Sequence, residues 1–106
     1  MLNLLKKETV KSINVNDIDN IKEKINLIDI REPNEYDGGS INNSKNIPMR
    51  TLISNPEKYL EKDKTYYIMC HSGMRSARTA NFLKKQGYDV VNVNGGISSY
   101  AGTKRK

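Results

Sequence analysis

Residues 66–83 read YYIMCHSGMRSARTANFL, and this stretch decides the fold. Tyr66, Tyr67, Ile68 and Met69 form an apolar run of strand length that ends at Cys70. His71, Ser72, Gly73, Met74 and Arg75 make a short loop, and from Ser76 the spacing becomes helical. A strand, a tight loop and a helix therefore follow one another. In such a turn the loop amides and the first helical turn aim their N–H groups at one spot, where the helix dipole adds about half a positive charge. A thiolate or a small anion is stabilised there, so Cys70 reads as a nucleophile with a lowered pKa. A lone cysteine after an apolar strand is more commonly a small buried hydrophobe. Gly73, free to take a positive φ, with Arg75 and Ser76 directly behind it, favours the reactive reading.

The bulk properties bound what the rest can be. A chain of 106 residues, 36 % hydrophobic and 28 % charged, is expected to form one soluble domain with a modest core. No apolar run approaches the roughly 20 residues of a membrane helix. The apolar start Met1–Leu5 is too short for a signal-peptide core and precedes its lysines, so a cytoplasmic location is expected. There a single cysteine stays reduced, and it has no partner for an internal disulfide. The net charge of +6 raises the question of nucleic acid. The lysines are spread along the chain, however, with one dense cluster at Lys104, Arg105 and Lys106 and no interleaved aromatics. They read as a solvated surface biased towards anionic substrates or partners, with neither nucleic acid nor membrane as a partner. His71 has no second histidine or cysteine near it, so no metal site is expected. It reads as a loop residue valued for its backbone N–H, with a general acid role as the lesser alternative.

Outward from the Cys70 loop, the chain alternates strands and helices. Glu8–Ile13 reads as an edge strand, and Asn16 as the cap of a short helix carrying Ile18 and Ile21. Leu27, Ile28 and Ile30 make a buried strand broken by Asp29, a carboxylate that needs a partner. Arg31 is the nearest cation, but the alternation of side chains along a strand leaves room for a partner elsewhere. Pro33 opens a short helix that stops at Gly38 and Gly39. Asn46–Pro48 suits an edge strand, Met49, Leu52 and Ile53 one helical face, and Pro56 the start of another short helix. After Ser76, Ala77, Ala80 and Leu83 keep helical spacing up to Gly87, and Val90, Val91 and Val93 form the last strand. Gly95 and Gly96 permit a sharp turn into Ile97–Tyr100. This order implies an α/β fold: a small, mostly parallel sheet flanked by helices on both faces, with the Cys70 loop at the carboxyl end of a central strand, where such sheets bind ligands. A single domain is expected, with its core over about residues 8–101 and a mobile basic tail at 102–106.

The loop at Cys70, IDIREPNEYDGGSI at 28–41 and VNVNGGISSY at 91–100 together resemble the single-domain rhodaneses, a sulfurtransferase family, over about Ile13–Tyr100. The resemblance implies that Cys70 takes a sulfane sulfur from a donor such as thiosulfate, becomes a persulfide, and passes the outer sulfur to cyanide, a thiol or a protein acceptor. It implies that His71, Ser72, Gly73, Met74, Arg75 and Ser76 line the substrate site. It also implies that Asp29 and Arg31 hold the surrounding loops, that no cofactor is needed and that a monomer suffices. Arg75 is the candidate for gripping an anionic donor, with a tie to a body carboxylate as the alternative role. Two positions depart from the family pattern: Ser40 stands where a histidine is usual and Tyr100 where a tryptophan is usual. Two other classes compete, a non-catalytic binding module on the same fold and a phosphatase or arsenate reductase. Phosphatases need five residues between cysteine and arginine to encircle a phosphate, whereas Cys70 and Arg75 enclose four.

Overall fold

The computed structural model describes residues 10–106. Five strands, β1 (Lys11–Asn14), β2 (Asn26–Asp29), β3 (Ser44–Asn46), β4 (Thr65–Met69) and β5 (Asp89–Asn94), form one sheet in the order β1-β5-β4-β2-β3. Every pairing between these strands is parallel. Among the described residues four short helices connect them, α1 (Pro33–Asp37), α2 (Met49–Ser54), α3 (Pro56–Tyr59) and α4 (Met74–Lys85), and a fifth, α5 (Gly96–Ser99), follows β5. A 3-10 helix at Val15–Asn20 leads out of β1.

The period-two alternation of the strands sorts their side chains into two cores. Ile28, Ile68 and Val90 pack on one face with Leu52 of α2, Leu60, and Leu83 of α4. Leu27, Met69 and Val93 pack on the other with Val15 and Ile18 of the 3-10 helix and Ile97 of α5. Both faces of the sheet are thus covered, as buried parallel strands require. The central strand β4 carries the sequence on which the reading began, and Cys70 follows its last residue.

Several boundaries differ from the sequence expectation for identifiable reasons. The first strand begins at Lys11 rather than Glu8, which with Thr9 lies outside the described residues. The first helix is a 3-10 segment capped by Asn14, whose side chain accepts the Asn16 N–H at 2.9 Å. Asn16 does not cap it. Its side chain instead donates to the Ser99 carbonyl at 3.0 Å and accepts the Ala101 N–H at 2.7 Å, tying the 3-10 helix to the end of α5 and the residues after it. The helix after Cys70 opens at Met74, two residues before Ser76. The tail at 102–106, expected to be mobile, is docked. Arg105 bridges antiparallel to Ile41, the Lys106 N–H donates to Ser40 O at 2.9 Å, and the Asn42 N–H donates to Lys104 O at 2.6 Å.

Candidate active site

Cys70 is buried, with 1 % of its surface exposed. Its sulfur accepts the Gly73 N–H at 3.1 Å and the Ser76 N–H at 3.3 Å. The Ser76 hydroxyl lies 3.5 Å from it and donates to Gly73 O at 3.1 Å. Gly73 sits at φ +103°, the left-handed turn that lets the loop double back on its own cysteine. Burial would push the Cys70 thiol up, but the Ser76 hydroxyl and the N–H groups of Ser76, Gly73 and Ser72 outweigh it, and the thiol pKa is lowered.

A second element fixes the loop from behind. The Ile97 N–H donates to Cys70 O at 3.0 Å and the Ser98 N–H donates to His71 O at 2.9 Å. These carbonyls are held by the first turn of α5, so the peptide planes of the loop are pinned. The approach is close enough to demand glycine. A Cβ on Gly96, at φ +58°, would stand 2.4 Å from both carbonyl oxygens.

Asp29 and Arg31 meet directly at the end of β2. Arg31 Nε donates to both carboxylate oxygens, at 3.0 and 3.1 Å, and Nη2 donates to Asp29 Oδ2 at 2.9 Å. The two residues are separated by one position, so they share a face, and the expectation of a partner elsewhere is corrected. Arg31 Nη2 also donates to Gly39 O at 2.7 Å, anchoring the turn after α1. Asn46, not singled out in the sequence, donates to the carbonyls of Asp29 and Arg31 at 2.9 Å each.

Arg75 does not point at free solvent to await an anion. Its Nη1 and Nη2 grip Glu35 Oε1 and Oε2 at 3.1 Å each, a bidentate pair that ties the loop to α1. The Arg75 guanidinium, against the opposing cost of burial, holds the Glu35 carboxyl at about 2. Glu35 was missed in the sequence, where its position three residues after Glu32 signals only a capping box, which it also completes. His71, Ser72 and Met74 stand exposed on the rim. Two clefts, of about 260 and 360 Å³, lie around Ile21–Ile25, and none of residues 70–76 lines either.

A family model described as the rhodanese-like domain matches residues 14–103. The chain belongs to the rhodanese-like domain family. It is similar to a rhodanese-like domain protein from Staphylococcus aureus, with a TM-score of 0.82 and 34 % identity over 92 % of this chain and 97 % of that one. It is 39 % identical to a protein named sulfurtransferase from Allochromatium vinosum, over 74 % of each chain. It is also 39 % identical to the uncharacterized protein YqhL of Bacillus subtilis, over 74 % of this chain and 63 % of that one. As a rhodanese-like domain the chain accommodates its unusual Tyr100 by burying the ring. The Tyr100 hydroxyl donates to Asp19 Oδ2 at 2.8 Å and accepts the Lys104 N–H at 3.0 Å. Ser40 is buried too, and its carbonyl receives the tail.

Proposed function

We propose that the chain is a sulfurtransferase that carries a sulfane sulfur on Cys70. The reading rests on one observation above others: Gly73 and Ser76 direct their N–H groups at the Cys70 sulfur from a loop with four residues between Cys70 and Arg75. The Cys70 thiolate attacks the outer sulfur of a donor such as thiosulfate. A sulfur–sulfur bond forms, the donor's own sulfur–sulfur bond breaks, and sulfite leaves with the electron pair. The resulting Cys70 persulfide anion is held by the amides that held the thiolate, together with the N–H groups of Met74 and Arg75, which as first-turn amides of α4 have no intrahelical acceptor. Cyanide, a thiol or a protein acceptor then attacks the outer sulfur, and the electron pair returns to Cys70 as thiocyanate or a new persulfide departs.

In this reading His71, Ser72 and Gly73 form the rim and floor of the cradle, and Arg75 keeps it in shape through Glu35. Asp29 and Arg31 brace it from below. The chain works as a monomer in the cytoplasm, where Cys70 stays reduced, and uses no cofactor. Among the described residues no helix is long and apolar enough to cross a membrane. A loop this tight is too small to encircle a phosphate, which sets the phosphatase class aside, and the presence of Cys70 sets aside the non-catalytic module.

The test is mass spectrometry of the intact protein after incubation with thiosulfate, followed by cyanide. The wild-type chain is expected to gain one sulfur atom and lose it as thiocyanate, and Cys70→Ser to gain none. Efficient hydrolysis of an aryl phosphate with no sulfur gain would overturn the reading.

A further inference from the structure

Among the described residues, Met74 and Phe82 are the large hydrophobic side chains that stand exposed, at 67 % and 39 %. Both lie on α4, the helix that begins in the Cys70 loop. Counted in steps of four, Met74, Arg78 and Phe82 run along one side of that helix, and Lys85 continues the line three residues on. Arg78 and Lys85 are exposed as well, while Ser76, Thr79, Ala80 and Leu83 take the buried side. The helix carries four cations, Arg75, Arg78, Lys84 and Lys85, and no acid. Glu35 neutralises the first, and the other three are in no ion pair among the described residues. A helix that is merely solvated mixes its charges. This one leaves a one-sign stripe leading to the cysteine, with apolar contact area at Met74 and Phe82 on either side of Arg78.

We propose that the exposed side of α4 is the docking surface for an acidic protein acceptor. The acceptor lays a segment of aspartate or glutamate with interspersed apolar side chains along Met74, Arg78, Phe82 and Lys85, and presents a cysteine thiol to the loop. The proposal rests on the sulfurtransferase reading and names its second substrate. The acceptor thiolate bonds to the outer sulfur of the persulfide, the bond between the two persulfide sulfurs breaks, Cys70 regains the electron pair as its thiolate, and the acceptor leaves as a persulfide. Charge complementarity selects the acidic partner. Met74, flexible and polarizable, supplies adaptable contact at the rim, where a small anionic donor would be better served by a charge. Nucleic acid is the poorer fit, because Phe82 alone offers one stacking surface and no series of them.

Two measurements separate this proposal from the reading beneath it. The probes are a synthetic cysteine peptide rich in glutamate and leucine and its counterpart with lysine in place of glutamate. In sulfur transfer from thiosulfate, kcat/KM for the acidic peptide is expected to exceed that for the basic one by about tenfold at low salt, and the gap to close as salt is raised. Arg78→Glu with Lys85→Glu should erase the preference and Phe82→Ser weaken it, while the rate with cyanide stays unchanged in both variants. Binding is followed independently of chemistry by titrating the acidic peptide into Cys70→Ser and recording amide shifts. Shifts centred on Arg78, Phe82 and Lys85 are expected. An undiminished preference after charge reversal, shifts elsewhere, or displacement of the peptide by a single-stranded RNA oligonucleotide would overturn the proposal. Failure of sulfur transfer to cyanide as well would count against the sulfurtransferase reading, leaving the amide titration to decide the docking surface.

Discussion

Cys70 and Ser76 form the smallest unit whose chemistry can be tested alone. With a thiol proton the sulfur can donate to the Ser76 oxygen; once that proton is gone, the Ser76 hydroxyl can turn from Gly73 O towards the sulfur. Ser76→Ala should therefore raise the thiol midpoint followed by thiolate ultraviolet absorbance, and slow sulfur loading at neutral pH. An unchanged midpoint would assign the whole effect to the backbone amides. Because the folded thiol pKa is lowered, its contribution to stability is fully present above the unfolded value, about 8.5, and is lost as pH falls through the folded midpoint. The Glu35–Arg75 pair obeys the same rule at lower pH. With Glu35 moved from 4.5 to about 2, its contribution is complete above about 4.5 and disappears as pH falls towards 2. Each side chain is about one-third exposed, so Glu35→Gln should cost about 1 kcal/mol or less in urea unfolding at neutral pH. That difference should vanish in acid. Glu35 was invisible as a site residue in the sequence because nothing local distinguishes a capping carboxylate from one that also reaches Arg75, 40 positions away.

At the scale of elements, the tip of β2 and the first turn of α5 do the holding. Arg31 is 4 % exposed and Asp29 0 %. Removing the cation leaves a buried carboxylate without its partner, so Arg31→Ala should destabilise the fold by about 3–5 kcal/mol in chemical denaturation, far more than Glu35→Gln. A loss no larger than that of Glu35→Gln would mean that Asp29 finds another donor. Gly96→Ala places a methyl against the carbonyls of Cys70 and His71 and should push α5 off the loop. Sulfur loading should fall together with stability, and the thiol midpoint should rise as the pinned peptides relax. The strand, loop and helix around Cys70 were legible because apolar run, glycine and helical spacing all act over a few neighbouring residues. The role of α5 was not, since its two critical bonds join residues 27 positions apart. Sequence could show only that Gly95 and Gly96 allow a turn, not what lies against it.

Across the whole molecule, the C-terminal residues reach α5 through the Arg105 side chain. Arg105 Nη2 donates to Ile97 O at 3.2 Å and to Tyr100 O at 2.8 Å, and its guanidinium lies 5.4 Å from the Tyr100 ring centroid. It thereby fastens α5 at Ile97, whose N–H holds the loop, and just beyond its end at Tyr100. Removing Lys104–Lys106 is expected to lower the melting temperature and to raise the Cys70 midpoint, and Arg105→Lys to recover part of both through its charge. A truncated chain with an unaltered midpoint would confine the tail to stability. Composition alone pointed the other way, because a run of three cations reads as solvated until its backbone is seen paired with Ile41 and Ser40.

The depth of Cys70 also decides which atom an incoming nucleophile can strike. In the proposed sulfur transfer, with 1 % of the residue exposed, the inner sulfur of a Cys70 persulfide would lie beneath the loop and the added atom would be the one to face solvent. Attack on the inner atom would leave the acceptor joined to the protein as a mixed disulfide and expel hydrosulfide, a dead end that must be reduced before the next turnover. Under the proposed mechanism the cradle would then work as a regiochemical filter, steering collisions to the terminal sulfur and returning a free cysteine.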